Sequence, residues 1–185
     1  MAQIDGGIGF SAEYLGAGTA FTVPYQKAAN NTTPIRAGHA VVRVGNSRLV
    51  QRAAVTSGFI SSAKIEGFAC TDDASAANNY LPSTYAIMPA ITRPGGLEEI
   101  LVHPAIAVFR FRLAVKTGQA AGKAHVGKYV SIGVGANGEH FLDTSDTTTN
   151  PLATIVDFPE NQEGVDGGTM YFIIQAVDSS YVTPT

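Results

Sequence analysis

The sequence predicts a mainly β protein, a small antiparallel β-barrel or sandwich with an extended N-terminal arm. Three observations point there. Long helical periodicity is absent, and short β-rich runs recur between Gly, Pro and Asn. In residues 108–116, Phe109, Phe111, Leu113 and Val115 alternate with Arg110, Arg112, Ala114 and Lys116, the period of a half-buried strand. Gly135-Ala136-Asn137-Gly138 separates two β runs, and Asn-Gly tolerates the positive φ of a tight hairpin.

In chain order, residues 1–19 are Gly-rich and weakly patterned, and read as an arm or edge segment. Residues 20–25 form a strand interrupted by Pro24. Residues 40–44 and 48–55 flank Gly45-Asn46-Ser47 and predict a hairpin. Residues 59–69 read as one further strand, and 72–79 as a polar loop or a single helical turn. A strand over 85–92 ends at Pro94-Gly95-Gly96, and 97–102 is ambiguous. After the strand at 108–116 come 129–134 and 140–143, joined by the Asn-Gly hairpin. Residues 154–158 and 170–177 then flank a Gly-rich acidic loop at 160–168. The expected organisation is an arm (1–19), a β-hairpin region (20–95) and a compact β-barrel (96–185), the last two able to form one domain.

Composition narrows the class. A chain of 185 residues with 45% hydrophobic content needs no metal or disulfide staple. Only 15% of residues are charged, which excludes a disordered acidic protein and a coiled coil. The surface must be finished by Thr, Ser, Asn, Gly and Ala, or be covered by a partner. The net charge of −3 is too mild to imply nucleic acid or a membrane surface. It is unevenly distributed, however. All 12 Lys and Arg lie in residues 27–128, whereas residues 129–185 hold eight acids and no Lys or Arg. Either the two segments pair within one fold, or opposite faces meet different surroundings in an ordered assembly. Cys70 is the single cysteine, so no intramolecular disulfide forms. No basic and apolar leader opens the chain, so no secretory signal is expected, and no apolar run is long enough for a membrane helix. Asn30-Asn31-Thr32-Thr33 contains two glycosylation-type sequons that read as a polar loop.

Motifs for catalysis fail on context. Gly133 to Gly138 matches G-x-G-x-x-G, but a β run follows it instead of the helix that a dinucleotide needs. Ser61-Ser62-Ala63-Lys64 with Lys116-Thr117-Gly118 matches two penicillin-binding motifs, yet the local pattern is β-like and the third motif is missing. His39, His103, His125 and His140 show no metal-ligand spacing and read as polar strand or loop residues. Asp143-Thr144-Ser145-Asp146, and Glu160, Glu163 and Asp166, supply oxygens suited to calcium without an EF-hand pattern, and read as solvated loops. Asp72-Asp73 and Glu98-Glu99 are adjacent pairs, which on a strand face opposite sides. The expectation is therefore no catalytic residues, no metal and no cofactor. Arg110, Arg112 and Lys116, opposite the phenylalanine face, are the candidate protein-interface face.

The last ninety residues resemble the small β-barrels of tailed-bacteriophage capsid decoration (cement, auxiliary head) proteins. The resemblance rests on Val126-Gly127-Lys128-Tyr129-Val130-Ser131-Ile132, the polar hairpin, Ala153-Thr154-Ile155-Val156-Asp157, and Gly168-Thr169-Met170-Tyr171-Phe172-Ile173-Ile174-Gln175. The Gly-, Ala- and Thr-rich N-terminal segment is similar to their capsid-contacting arms. The resemblance implies a non-enzymatic virion protein, made in the host cytoplasm and placed on the outer capsid surface. It would clamp shell subunits non-covalently, with the major capsid protein as partner, as a homo-oligomer with a trimer favoured. Nucleic acid and membrane are not among the expected partners. The competing expectation is a β-sandwich binding module for carbohydrate or a receptor, against which the absence of Trp argues.

Overall fold

The chain is described by a computed structural model covering residues 11–14, 21–28, 33–61, 64–70, 91–92, 98–106, 109–136, 138–147 and 151–175. Among the described residues fourteen strands follow one another: β1 (Ser11–Tyr14), β2 (Val23–Lys27), β3 (Ala40–Arg43), β4 (Leu49–Arg52), β5 (Val55–Thr56), β6 (Phe59–Ile60), β7 (Gly67–Ala69), β8 (Ile91–Thr92), β9 (Glu98–Pro104), β10 (Phe109–Ala114), β11 (Tyr129–Val134), β12 (His140–Asp143), β13 (Pro151–Asp157) and β14 (Thr169–Ile174). Short 3₁₀ turns at Lys123–His125 and Glu160–Gln162 are the helical elements among the described residues.

The mainly β class holds, and the strands divide into a closed barrel and a second sheet. The barrel runs β2-β4-β3-β7-β9 and closes because β9 pairs back onto β2, with β8 added outside β9. Closure removes the free edges that an open sheet exposes. One pairing departs from an antiparallel barrel: β2 and β4 run parallel, with Gln26 opposite Leu49 and Lys27 opposite Val50. The second sheet runs β1-β10-β14-β13-β11-β6-β5, with β12 paired to β11. Of the expected arm, Ser11–Tyr14 forms the outermost strand of this sheet, antiparallel to β10.

Strand alternation builds two cores. In β3 and β7, Val41 and Ala69 point into the barrel with Tyr25, Ile35, Val50, Ile100 and Val102. Their neighbours Ala40 and Phe68 point the other way, into a layer shared with Phe109, Phe111, Leu113, Ile155 and Phe172 of the second sheet. Phe68 joins the layers directly. Its ring centroid lies 4.6 Å from that of Phe111 and 5.7 Å from that of Phe172.

Several segments differ from expectation for identifiable reasons. Residues 59–69 are two strands in different sheets, because the chain leaves the second sheet after Ile60 and enters the barrel at Gly67. Residues 48–55 divide likewise, with β4 in the barrel and β5 in the second sheet. Of residues 97–102, the described part, 98–102, lies in a strand: β9 is hydrogen-bonded to β2, β7 and β8, so the tertiary setting overrides a weak local pattern. The expected loop at 72–79, most of the strand at 85–92 and the Pro94-Gly95-Gly96 boundary lie outside the described residues. The hairpin at Gly45-Asn46-Ser47 is present: Gly45 takes a φ of 58°, and Ser47 Oγ donates to the Val44 carbonyl at 2.6 Å.

Candidate functional site

The anticipated interface face lies on β10. Arg110 stacks over the Tyr171 ring, 4.1 Å from guanidinium carbon to centroid, and pairs with Asp157 at 3.3 Å. A bulge in β13 makes this possible. Ile155 stands opposite Phe172 but Asp157, not Val156, stands opposite Tyr171. The extra residue turns Asp157 to the outer face, where strict alternation would have aimed it at the core. Arg112 stands opposite Tyr171 on one side and Ser11 on the other.

Lys116 lies beyond the strand in a different setting. Its ammonium meets Asp143 at 2.9 Å, and Asp143 is 1% exposed. Asp143 also accepts from Gln119 Nε2 at 2.7 Å, and from the Ser145 hydroxyl and backbone at 2.6 and 3.1 Å. Burial pushes this carboxyl up, but the Lys116, Ser145 and Gln119 hydrogen bonds outweigh it and hold it well below the usual carboxylate range. Both oxygens are thus engaged by protein donors, one of them cationic. The start of the 143–146 loop is therefore a hydrogen-bonded clasp around buried Asp143 and Thr144, where the sequence suggested a solvated loop. The second acidic loop caps backbone in the same way. Asp166 accepts from Gly118 N–H at 2.7 Å, and Glu163 from Lys123 N–H at 3.0 Å. The acidic C-terminal segment therefore pairs in part with the basic one within the fold.

The G-x-G-x-x-G stretch is the predicted hairpin. Gly135 N–H donates to the Glu139 carbonyl at 2.9 Å and Gly138 N–H to the Gly135 carbonyl at 3.0 Å, with Gly138 at a φ of 87°. Ser61 Oγ donates to the Ala54 carbonyl at 3.3 Å at the end of β6, not at a helix start as serine–lysine chemistry requires. Glu99 is buried and lines a small pocket with Gln26 and Arg48, on the face of β9 opposite the barrel-core residues Ile100 and Val102. Among the described residues, no three His, Cys, Asp or Glu side chains converge as metal ligands, and no helix is long and apolar enough to cross a membrane.

Two buried polar clusters were not visible in the sequence. In the first, Glu66, fully buried, accepts from the Tyr25 hydroxyl and from Arg43, whose Nη2 also reaches Tyr25 Oη at 3.2 Å. The Glu66 hydrogen bond raises Arg43 above its usual value and locks its charge. A glutamate inside an otherwise apolar β run was the available sequence signal. In the second, His39 and His140 face each other with centroids 4.8 Å apart, between the barrel and the second sheet. Burial, then the charges of Arg52 and Arg36, lowers His39 well below 6.5. Burial, then His39 and Arg52, does the same to His140, whose Nδ1 lies 3.2 Å from the Gly38 carbonyl. One hundred and one positions separate the two histidines, so spacing carries no signal of the pair.

Beside this pair opens a cleft of about 550 Å³, lined by Arg52, Ala53, Ala54 and Val55 on one wall and Val134, Gly135, Ala136 and Gly138 on the other. Arg52 Nη2 donates to the Gly138 carbonyl at 3.1 Å and ties the walls together. No family description, curated protein or solved structure matches this chain.

Proposed function

We propose that this chain is a structural protein of a phage-like particle, attached to the outer shell surface as a decoration protein that clamps shell subunits without chemical turnover. The observation that supports this most is the arrangement of arm and basic strand. Ser11–Tyr14 lies as the outermost strand beside Phe109–Ala114, so a segment near the N-terminus flanks the strand that presents Arg110 and Arg112. Such an edge lets an arm and a cationic face engage one partner surface together, and two weak contacts on one body bind far more tightly than either alone. Low overall charge suits the role, because few charges need desolvation at an interface.

The first test is gradient sedimentation of native particles with mass-spectrometric search for this chain. Co-migration with particles of many megadaltons, at fixed stoichiometry to the shell protein, is expected. Recovery only as a free small oligomer would overturn the proposal. Within the face, Arg112→Gln is the sharper probe than Lys116, because Lys116 neutralises the buried Asp143 and its loss would disturb folding. Arg112→Gln should lower particle occupancy while the chain keeps a cooperative unfolding transition.

A further inference from the structure

We infer that the cleft at Arg52 is a binding site for a small organic oxyanion, a carboxylate or phosphate carried on a compact apolar body. This goes beyond the shell-binding role and does not depend on it.

Arg52 is a charge with no carboxylate partner among the described residues. Arg52 closes β4 at the cleft wall, and one of its five donors reaches the Gly138 carbonyl. Its Nε is buried and has no hydrogen-bond partner. Among the described residues no carboxylate forms an ion pair with it. Glu139, the acid of the adjoining hairpin, folds back over Gly135, where a Cβ would stand 1.9 Å from its carboxylate oxygen. Arg52 instead has cationic or neutral company. Burial, then repulsion from Arg36, lowers its affinity for its proton. The two histidines next to it are held neutral by burial and by this same charge. A half-buried guanidinium with a buried, unpartnered Nε and no carboxylate beside it among the described residues carries a desolvation cost, and an anion in the adjacent cleft offsets it.

The cleft has the size and lining for such an anion. Its volume of about 550 Å³ falls in the range of small-molecule sites. Arg52 is the single charged side chain among its described lining residues. Val55 and Val134 offer apolar contact, and Gly138 adds no side chain to the wall. The remaining guanidinium donors beside the alanine and valine side chains of the cleft suit a carboxylate or phosphate head on a small body with some apolar surface.

The test is thermal unfolding of the full chain with benzoate, phenyl phosphate, neutral benzyl alcohol, or sodium chloride at matched ionic strength. Benzoate or phenyl phosphate should raise the midpoint by about 5–11 °C at a hundredfold excess over Kd, whereas benzyl alcohol and chloride should not. The two anions distinguish carboxylate from phosphate preference. Arg52→Gln should abolish the shift and Arg52→Lys should retain part of it. No shift with either anion, or an equal shift in Arg52→Gln, would overturn the inference. If Arg52→Gln fails to fold, the Nε–Hε resonance of Arg52 in the native protein is followed during a phenyl phosphate titration. Saturable movement supports the site, and an unmoved resonance overturns it.

Discussion

Replacing Phe68 with alanine tests whether barrel and second sheet are one cooperative unit. Phe68 is fully buried and belongs to the barrel strand β7, yet its ring packs on Phe111 and Phe172 of the other sheet. Removing a buried phenylalanine side chain costs about 3–5 kcal/mol through lost transfer energy and the cavity left behind. Two aromatic neighbours, each contributing about 0.5–1.5 kcal/mol beyond burial, place Phe68→Ala near the upper end, at about 4–5 kcal/mol. For a chain of this length that lowers the midpoint by roughly 8–20 °C. The assay is urea denaturation followed by far-ultraviolet dichroism and by tyrosine fluorescence. Tyr25 reports on the barrel, and Tyr129 and Tyr171 on the second sheet. Both probes should shift together with an unchanged m-value. A double-mutant cycle with Phe172→Ala should return a coupling of about 0.5–1.5 kcal/mol. A loss below about 1.5 kcal/mol, or two transitions of which one stays in place, would refute the shared-core reasoning.

Three further outcomes follow from the buried polar groups and the tight packing. His39 and His140 have folded values depressed below 6.5, so the unfolded chain binds their protons first as pH falls. Their stabilisation is full above about pH 6.5 and declines below it, by up to about 1.4 kcal/mol per pH unit for each histidine, and His140→Gln should flatten urea midpoints measured from pH 7.5 to 5. Asp143 is depressed below 3.8, so its contribution persists through that window and disappears only in stronger acid, separating the two effects in one titration. Lys116→Met, which strands a buried carboxylate, should destabilise by about 1–3 kcal/mol, whereas Arg110→Ala at its partly exposed pair should cost under about 1 kcal/mol; equal losses in chemical denaturation would contradict this ranking. Gly67→Ala would set a methyl 2.1 Å from the His103 carbonyl oxygen, so β7 and β9 must separate, and hydrogen exchange of their amides should accelerate.

Legibility from sequence followed the physics of each segment. β10, β11 and β12 were readable because alternation and a Gly-bounded turn act within a few residues. Their observed limits, Phe109–Ala114, Tyr129–Val134 and His140–Asp143, sit at or within the expected ranges. The split of 59–69 was hidden, since an apolar run looks the same whether one sheet or two receive it. Barrel closure was hidden for a related reason: the parallel partner of β2 is set by chain path, not local pattern. Arg110 was legible as an outward residue, but its pairing with Asp157 depends on a bulge that spacing does not reveal. Arg52 carried no signal, because its importance lies in which residues do not neutralise it.

The strand order also imposes a timetable on synthesis. Every strand of the closed barrel has been made once Pro104 is added, so that half can form early. Its outward ring, Phe68, then has no cover, because Phe111 and Phe172 belong to β10 and β14, the latter the last described strand. Worse, β14 sits between β10 and β13, so the sheet cannot knit from one end as the chain grows. A nascent chain thus carries an apolar barrel face and unpaired strand edges until β14 has been made, the condition under which chains cross-associate. Chains stopped before Thr169 should accordingly accumulate as aggregates or chaperone-bound species.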